Sequence, residues 1–334
     1  MKKIFALVLT LCLLLCFTAV AEEEFNPADH TLVFATVLVN HPVLRCVELG
    51  FKEACEELGY QYQIVGPEGQ DFNEMNAAAE AAAVYADGML LWAQDPTCLV
   101  TIDTLKNDYG CYVGVPHTYW EEGSCEGLDF TMACVPETYA EAVADFFAET
   151  LDGKTGSIAV TQATYAENEN AAAAAFAARL AEHQAAGKLA GVKVLEPAIE
   201  GATDITESTN VNASIIQANP DLIAAFSLTG NGPVTWSNAA RKCGKEPGEI
   251  TIVAMDYTAD NLAEIEAGYC TAIVAQPLYT EAYEAVYYLD TLLRGGEVEY
   301  WTELDAPLVY KGGEGENDPA TYTGILDRVD TAFN

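Results

Sequence analysis

The sequence predicts an α/β fold with two doubly wound, Rossmann-like lobes, each built on a parallel sheet. Short apolar runs rich in β-branched residues alternate with helical segments, which is typical of a parallel sheet covered by helices on both faces. The alternation starts again near Cys134, so the chain is predicted to form two such sheets. Its 334 residues suffice for two domains of ordinary size even after the loss of an N-terminal segment.

Residues 1–21 are interpreted as a signal peptide that is cleaved. A basic start precedes an apolar run too short to span a membrane comfortably, and Ala19-Val20-Ala21 forms a small-residue cleavage site. We therefore expect a periplasmic or extracellular protein with no membrane insertion after cleavage. A lipid anchor on Cys16 is the weaker alternative, because bulky leucines stand at positions 13–15, where a lipid-attachment site requires small residues.

The charge balance restricts the possible partners. Fifteen Lys and Arg residues stand against 51 Asp and Glu residues, which gives a formal net charge of −36. Such a surface repels nucleic acids and anionic lipids. Since 51% of the residues are apolar, the chain is not disordered despite this charge.

Eight cysteines remain after removal of the predicted signal peptide. Export permits disulfides, and Cys111, Cys125 and Cys134 are close enough in sequence to pair. The alternative is that most of the eight thiols are small buried apolar groups. Their spacing does not match a metal site, and no cofactor is expected.

The first half of the chain shows strand and helix in regular alternation. Pro42 begins an amphipathic helix that Gly59 ends, and Asp71 with Glu74 forms an approximate capping box before an alanine-rich helix. Another helix begins at Asp95-Pro96. The strands between these helices are predicted at 32–39, 62–65, 89–92 and 112–115.

The second half repeats the pattern. Strands are predicted at 156–161, 192–195, 224–227, 250–255 and 271–275, and helices at 137–151, 168–183, 206–217, 236–242 and 259–268. A long helix at 279–294 and a last apolar run at 308–310 follow, and both look like a return to the first sheet.

Asp256 and Gln276 end two of these strands, which one short helix joins. Ligands of open α/β sheets bind beyond the carboxyl ends of strands, so both side chains are predicted to face one crevice. A carboxylate accepts two hydroxyl donors, and an amide both donates and accepts, which suits a polyhydroxylated ligand. The alternative is that Asp256 merely opens a turn and Gln276 is solvated.

The two ends of the chain resemble a known family. VNHPVLRCVELGFKEACEELGY is a strand, a turn and a helix ending in Leu-Gly-Tyr, and IVAMDYTADNLAEIEAGYCTAIVAQP is the strand–helix–strand described above. Both resemble the type I periplasmic sugar-binding proteins of ABC transporters, the ribose- and galactose-binding group, over residues 31–312. The resemblance implies two lobes joined by a three-segment hinge with the ligand between them. The first lobe would comprise 31–134 and 277–306, and the second 135–276 and 307–334.

The resemblance also implies site residues. Asp256 and Gln276 are kept, and His41 occupies the turn after the first strand, with Val43 and Leu44 where relatives often carry aromatic rings. Elsewhere the chain departs from the family pattern, and arginines that grip sugar hydroxyls in relatives are missing. The substituted positions are His117 and Thr118 in place of Asp-Arg, Ala172 in place of an arginine with Asn168 and Asn170 nearby, and Thr229-Gly230-Asn231-Gly232 in place of Asn-Asp.

Aromatic side chains could compensate by covering the apolar face of a sugar. Five of them stand at or just past a strand end or a helix start, and two or three are expected to line the cleft, Trp120 and Trp92 first. The five candidates are Trp92, Tyr119, Trp120, Tyr165 and Trp236.

The leading function prediction is a monomeric solute-binding protein that captures a small sugar-like ligand by hinge closure and delivers it to an ABC transporter permease. Asp256 and Gln276 would anchor the ligand, while His41, Trp92 and His117 close over it from the first lobe. The alternative is a receptor of the same fold that presents a sugar, nucleoside or quorum-type signal to a membrane sensor. The sequence does not favour an enzyme, because it carries no Gly-x-Ser-x-Gly elbow, phosphate-binding glycine loop or HExxH motif.

Overall fold

The computed structural model describes residues 25–163, 167–201 and 204–333. The predicted signal peptide, residues 1–21, lies outside the described residues.

The first lobe contains a six-stranded, wholly parallel sheet in the order β12-β5-β4-β3-β1-β2. Its strands are β1 (Thr31–Ala35), β2 (Gln61–Val65), β3 (Gly88–Leu91), β4 (Tyr112–Pro116), β5 (Phe130–Ala133) and β12 (Trp301–Glu303). Its helices are α1 (Leu44–Leu58), α2 (Phe72–Ala82), α3 (Thr97–Asn107) and α9 (Leu278–Leu293). Every residue of β3 is buried, as expected of a central strand that is covered on both faces.

The second lobe contains a sheet in the order β13-β11-β10-β9-β6-β7, with β8 also paired to β6. Its strands are β6 (Thr155–Gln162), β7 (Gly191–Val194), β8 (Ala198–Ile199), β9 (Leu222–Ser227), β10 (Thr251–Met255), β11 (Ala272–Val274) and β13 (Leu308–Tyr310). Its helices are α4 (Pro136–Thr150), α5 (Glu167–Ala185), α6 (Ile205–Ala218), α7 (Gly232–Lys242), α8 (Ala259–Glu266) and α10 (Pro319–Phe333). Two doubly wound lobes are thus present, and the predicted fold class is confirmed.

The chain crosses between the sheets three times: after β5, after β11 and after β12. The crossings are hydrogen-bonded to one another at the base of the lobes. The amide of Leu304 donates to the carbonyl of Ala133 at 2.9 Å, and the amide of Ala275 donates to the carbonyl of Pro307 at 2.9 Å. These bonds hold the three connections side by side.

The interpretation of the run 308–310 as a return to the first sheet is wrong. The long helix α9 does return to the first lobe, where it packs against β3, β4 and α1. The run 308–310, however, pairs antiparallel with β11 in the second sheet. The first sheet is instead completed by β12, which pairs with β5. An apolar run of three residues does not specify which sheet edge it joins. Here the short third crossing leads the run from the first sheet to the second.

Two helices make the first lobe compact near the hinge. The apolar face of α1 packs against α9, and a side chain at Gly50 would lie 2.1 Å from the carbonyl oxygen of Tyr279. Only glycine permits that approach. At its other end α1 stops at Gly59, whose φ of 84° is left-handed, as the sequence predicts for a helix terminated by glycine.

The last helix, α10, contacts both lobes, packing against α1 and α8. Arg328 forms an ion pair with Glu53 of α1 at 2.7 Å and lies over the ring of Tyr279. The ring of Tyr322 packs against that of Tyr257, which directly follows Asp256, with centroids 4.7 Å apart and planes tilted by 51°. Helix α10 therefore packs across the junction between the two lobes.

The eight cysteines of the described residues are all free thiols. Cys46, Cys55, Cys98, Cys111 and Cys270 are buried, while Cys125, Cys134 and Cys243 are partly exposed. Burial raises the pKa of the Cys111 thiol to about 11. Most of them act as small apolar side chains, the second of the two interpretations that the sequence allowed.

Candidate functional site

Three ionisable side chains meet where the two lobes face each other. Asp256 directly follows β10 in the second lobe, and His117 directly follows β4 in the first. Glu281 lies in the first turn of α9, just past the second crossing. Strand ends thus supply two of the groups, and a helix start supplies the third.

Asp256 is held in an unusual backbone conformation. Its φ of 66° is left-handed, and its amide donates to the carbonyl of Val274 at 2.9 Å. The side-chain amide of Asn261 donates to the carbonyl of Asp256 at 3.0 Å and to that of Gly230 at 2.8 Å. Asn261 therefore ties the end of β10 to the loop after β9 and fixes the direction of the Asp256 side chain.

The Asp256 carboxyl is buried with an unused acceptor. The residue is 9% exposed, and Oδ1 has no hydrogen-bond partner among the described residues. A side chain at Gly230 would come within 2.6 Å of Oδ2, so this glycine makes room for the carboxyl. Burial raises the pKa of Asp256 to about 6, with Glu281 adding to the rise and His117 opposing it.

His117 is fixed by contacts on two sides. Nδ1 lies 3.2 Å from Oε1 and 3.3 Å from Oε2 of Glu281, whose side chain is fully buried. The imidazole stacks on the indole of Trp92, with centroids 4.4 Å apart and planes 18° from parallel. The φ of 69° at His117 is again left-handed. Strained backbone at both His117 and Asp256 is common where a site dictates side-chain direction.

The pair behaves as a coupled acid and base. Burial by itself would lower the pKa of His117, but the carboxylate of Glu281 outweighs it and the pKa is raised. Burial also raises the pKa of Glu281, and the imidazolium opposes that rise. His117 is therefore protonated more readily than a free imidazole because its partner is a buried carboxylate.

The side chain of Gln276 forms a hydrogen bond with Cys134, which lies on the first crossing, and the charge of Asp256 acts on the same thiol. Burial raises the pKa of the Cys134 thiol to about 12, the carboxylates of Glu281 and Asp256 add to this, and a hydrogen bond with the Gln276 side chain opposes it. Gln276 is partly exposed. The structure thus brings the two predicted strand-end residues to one place.

The remaining first-lobe candidates differ in exposure. Trp92 is 4% exposed and carries His117 on its ring, so that ring face is already covered. The indole of Trp120 donates to the carbonyl of Ala93 at 2.8 Å. Thr118 has a buried hydroxyl with no partner among the described residues, while His41 is exposed in the turn before α1. Tyr119 is 54% exposed and meets the edge of Trp301.

The other second-lobe candidates differ in their surroundings, and two of them flank Gly230, whose carbonyl accepts from Asn261. Thr229 is buried and donates to Glu200 at 3.1 Å, and Asn231 precedes α7. Asn168 is exposed in the first turn of α5, where its side chain accepts the amide of Glu169 at 2.9 Å. Tyr165 lies outside the described residues.

Trp236 corrects a prediction. It is fully buried, and its indole donates to the hydroxyl of Thr161 at 2.9 Å. The ring fills the interior between α7 and the sheet rather than facing the cleft. Its position near a helix start is equally typical of a core residue, and the position alone could not separate the two.

Glu281 and Cys134 are the site residues that sequence reasoning did not identify. Glu281 stands among buried apolar positions on one face of α9, next to Ala282 and one turn from Leu278 and Ala285. A carboxylate within an apolar helical stripe is the signal that could have revealed it.

Within residues 25–163, 167–201 and 204–333, no three His, Cys, Asp or Glu side chains form a group suited to a metal ion. None of the helices in the same ranges combines the length and apolar character needed to cross a membrane. A separate groove of about 430 Å³ lies between α8 and α10 and is lined by residues such as Leu262, Glu266 and Asp327. It shares no residue with the cluster at Asp256.

Comparison with known proteins places these features in a family. The family model described as a periplasmic binding protein domain matches residues 33–297. No curated protein sequence matches the chain.

Solved structures share the fold at low sequence identity. The arabinose-binding protein AraP of Geobacillus stearothermophilus is 17% identical, with a TM-score of 0.74 over 92% of this chain and 100% of that one. A solute-binding protein of Burkholderia graminis C4D1M, solved with D-arabinose, is 20% identical, with a TM-score of 0.72 over 86% and 97% of the two chains. A periplasmic solute-binding protein of Actinobacillus succinogenes 130z with bound D-allose is 14% identical, with a TM-score of 0.73 over 84% and 96%.

Proposed function

The chain belongs to the periplasmic binding protein domain family, and from this membership and the buried cluster between its lobes we propose that it captures a small polyhydroxylated solute, a sugar, by hinge closure. The unused Oδ1 of buried Asp256 carries the proposal. A buried carboxylate oxygen without a donor is costly, and a ligand hydroxyl would supply the missing hydrogen bond.

The lobes supply complementary parts of the proposed site. Asp256 and Gln276 would anchor the solute from the second lobe and the hinge, and His117 with its Glu281 partner would contact it from the first. A solute that touches both lobes binds the closed arrangement better than an open one, so it shifts the population towards closure. The lobe boundaries that we propose are 31–134 with 277–306 and 135–276 with 307–334.

The biological role follows from the family. We propose export by a cleavable signal at residues 1–21, action as a monomer outside the cytoplasm, and delivery of the unmodified solute to an ABC transporter permease. Several similar structures were solved with sugars bound, including D-arabinose, D-allose and D-fucose, which supports this class of solute.

The test is thermal unfolding of the chain from Glu22 onward against pentoses, hexoses, deoxysugars, polyols and nucleosides. A solute at 100 times its Kd should stabilise the protein by about 2.7 kcal/mol, which raises the Tm by a few degrees. Asp256→Ala should abolish that shift. Asp260→Ala is the matched control, because Asp260 is an exposed carboxylate in the first turn of α8, and this variant should show the same Tm shift as the wild type. Equal affinity in wild type and Asp256→Ala would contradict the site assignment.

A further inference from the structure

The cluster between the lobes carries more negative than positive charge. Asp256 and Glu281 contribute two carboxyl groups, and His117 is the one cation of the described residues whose charge acts on Asp256. Burial leaves these groups little solvent: Glu281 is fully buried and the His117 side chain is 15% exposed. With both carboxyls ionised and His117 protonated, the cluster keeps one uncompensated negative charge.

One arginine of the first lobe is already engaged with other side chains. Arg45, near the start of α1, pairs with Glu48 at 2.5 Å and donates to the side chain of Asn40. Among residues 25–163, 167–201 and 204–333, no arginine is one of the charges that act on Asp256 or Glu281. The excess charge is therefore not balanced by a guanidinium of the described chain.

The excess charge lies on the same carboxyl that lacks a donor. His117 directs Nδ1 at Glu281, and Asn261 uses its amide on backbone carbonyls, so neither satisfies Oδ1 of Asp256. A ligand hydroxyl could complete the hydrogen bond but would leave the charge buried. An ammonium group would do both, and a charge-assisted bond is about twice as strong as a neutral one.

We propose that the solute carries a cationic amine, as an amino sugar does, and that Asp256 accepts the ammonium while His117 and Glu281 set the charge that favours it. This inference rests on the proposed function, since it specifies the solute class of the same site. Trp92 supports it by keeping His117 stacked and turned towards Glu281, which leaves Asp256 without an imidazole donor.

The experiment uses matched pairs of solutes on the chain from Glu22 onward. Isothermal titration compares D-glucosamine with D-glucose and D-galactosamine with D-galactose, with the N-acetyl derivatives as neutral forms of the amines. The amine should bind at least about tenfold more tightly than its neutral counterpart in one of the pairs. Asp256→Asn should bring the ratio near one, and Glu281→Gln should reduce it.

Glu284→Gln is the matched control, because Glu284 is an exposed carboxylate on the same helix as Glu281. It should leave the ratio unchanged. The urea unfolding midpoint of each variant verifies that it is folded. A neutral sugar bound as tightly as its amine overturns the inference while the proposed function stands. The absence of binding by every member of the pairs and of the wider panel would overturn both.

Discussion

Two buried carboxylates of the second lobe have opposite surroundings. Glu200 is 2% exposed and accepts hydrogen bonds from five side chains, whereas Asp256 is 9% exposed and has an oxygen with no donor among the described residues. The donors to Glu200 are Thr161, Asn212, Ser227, Thr229 and Thr235. The hydrogen bonds of Glu200 are thus supplied by the chain itself, whereas Asp256 has an oxygen that a ligand can use.

The difference separates a structural group from a binding group. The donors to Glu200 come from β6, α6, the end of β9 and α7, so this carboxylate joins four parts of the second lobe. Oδ1 of Asp256 is hydrogen-bonded to no other group of the described residues, although the backbone of Asp256 is held by Asn261. A polar network that is complete rigidifies a lobe, while an incomplete one at the face between lobes has capacity for a ligand.

The largest loss of stability is expected from replacement of Glu200. Glu200→Ala would leave five buried donors without their acceptor, and we expect it to lower the free energy of unfolding by about 3–5 kcal/mol. Urea unfolding measures this loss. Glu196→Ala, an exposed carboxylate just upstream, is the control and should change little. A loss at Glu200 as small as that at Glu196 would refute its structural role.

Asp256→Asn should instead raise the free energy of unfolding at neutral pH. The folded-state pKa of Asp256 is raised from 3.8 to about 6, so the folded protein holds the proton more tightly than the unfolded chain. The raised pKa therefore contributes about 3 kcal/mol to the free energy of unfolding below about pH 4. This contribution is lost as the pH rises through about 6.

The asparagine does not titrate, so the unfolding free energy of the variant should not show this fall with rising pH. Urea unfolding of both proteins between pH 4 and 8 tests the prediction. The difference in unfolding free energy, wild type minus variant, should fall as the pH rises and then level off above pH 7. Parallel pH profiles of the two proteins would show that Asp256 does not titrate with a raised pKa.

The smallest expected effect is on the pKa of His117, which is paired with Glu281 beside Asp256. The pKa of His117 is raised because the Glu281 carboxylate outweighs burial. In Glu281→Gln only burial and the weaker field of Asp256 remain, so the pKa of His117 should fall. Imidazole proton shifts followed by NMR titration of the wild type and the variant measure this fall. An unchanged His117 titration would contradict the assigned coupling.

Local sequence signals predicted the fold because they are physical constraints on short segments. Asp71 caps its helix as predicted, accepting the amides of Asn73 and Glu74. Strands with long apolar runs, such as β9 and β10, were also predicted. The strands that were missed, β5, β8 and β12, have only two to four residues each. Each of them also adjoins another strand in the chain with no helix between, so the alternation of strand and helix does not mark it.

The site was predictable only as far as strand ends mark it. The rule that ligands bind beyond the carboxyl ends of strands identified Asp256 and Gln276, and the family resemblance identified His117. The structure brings these side chains to one region. Glu281 was missed because an acidic residue in the first turn of a helix is ordinary on electrostatic grounds. Its role depends on His117, 164 positions away, and such a pairing is a property of tertiary structure.

The eight unpaired thiols have a consequence for how this protein can be made. A fold that uses cysteines as small apolar groups needs no oxidase to reach its native state, and reductants do not remove any cross-link from it. Raised pKa values at buried positions such as Cys46 and Cys111 also keep the nucleophilic thiolate scarce. The chain from Glu22 onward should therefore mature equally well in a reducing or an oxidising environment, which allows production in the bacterial cytosol without change of product.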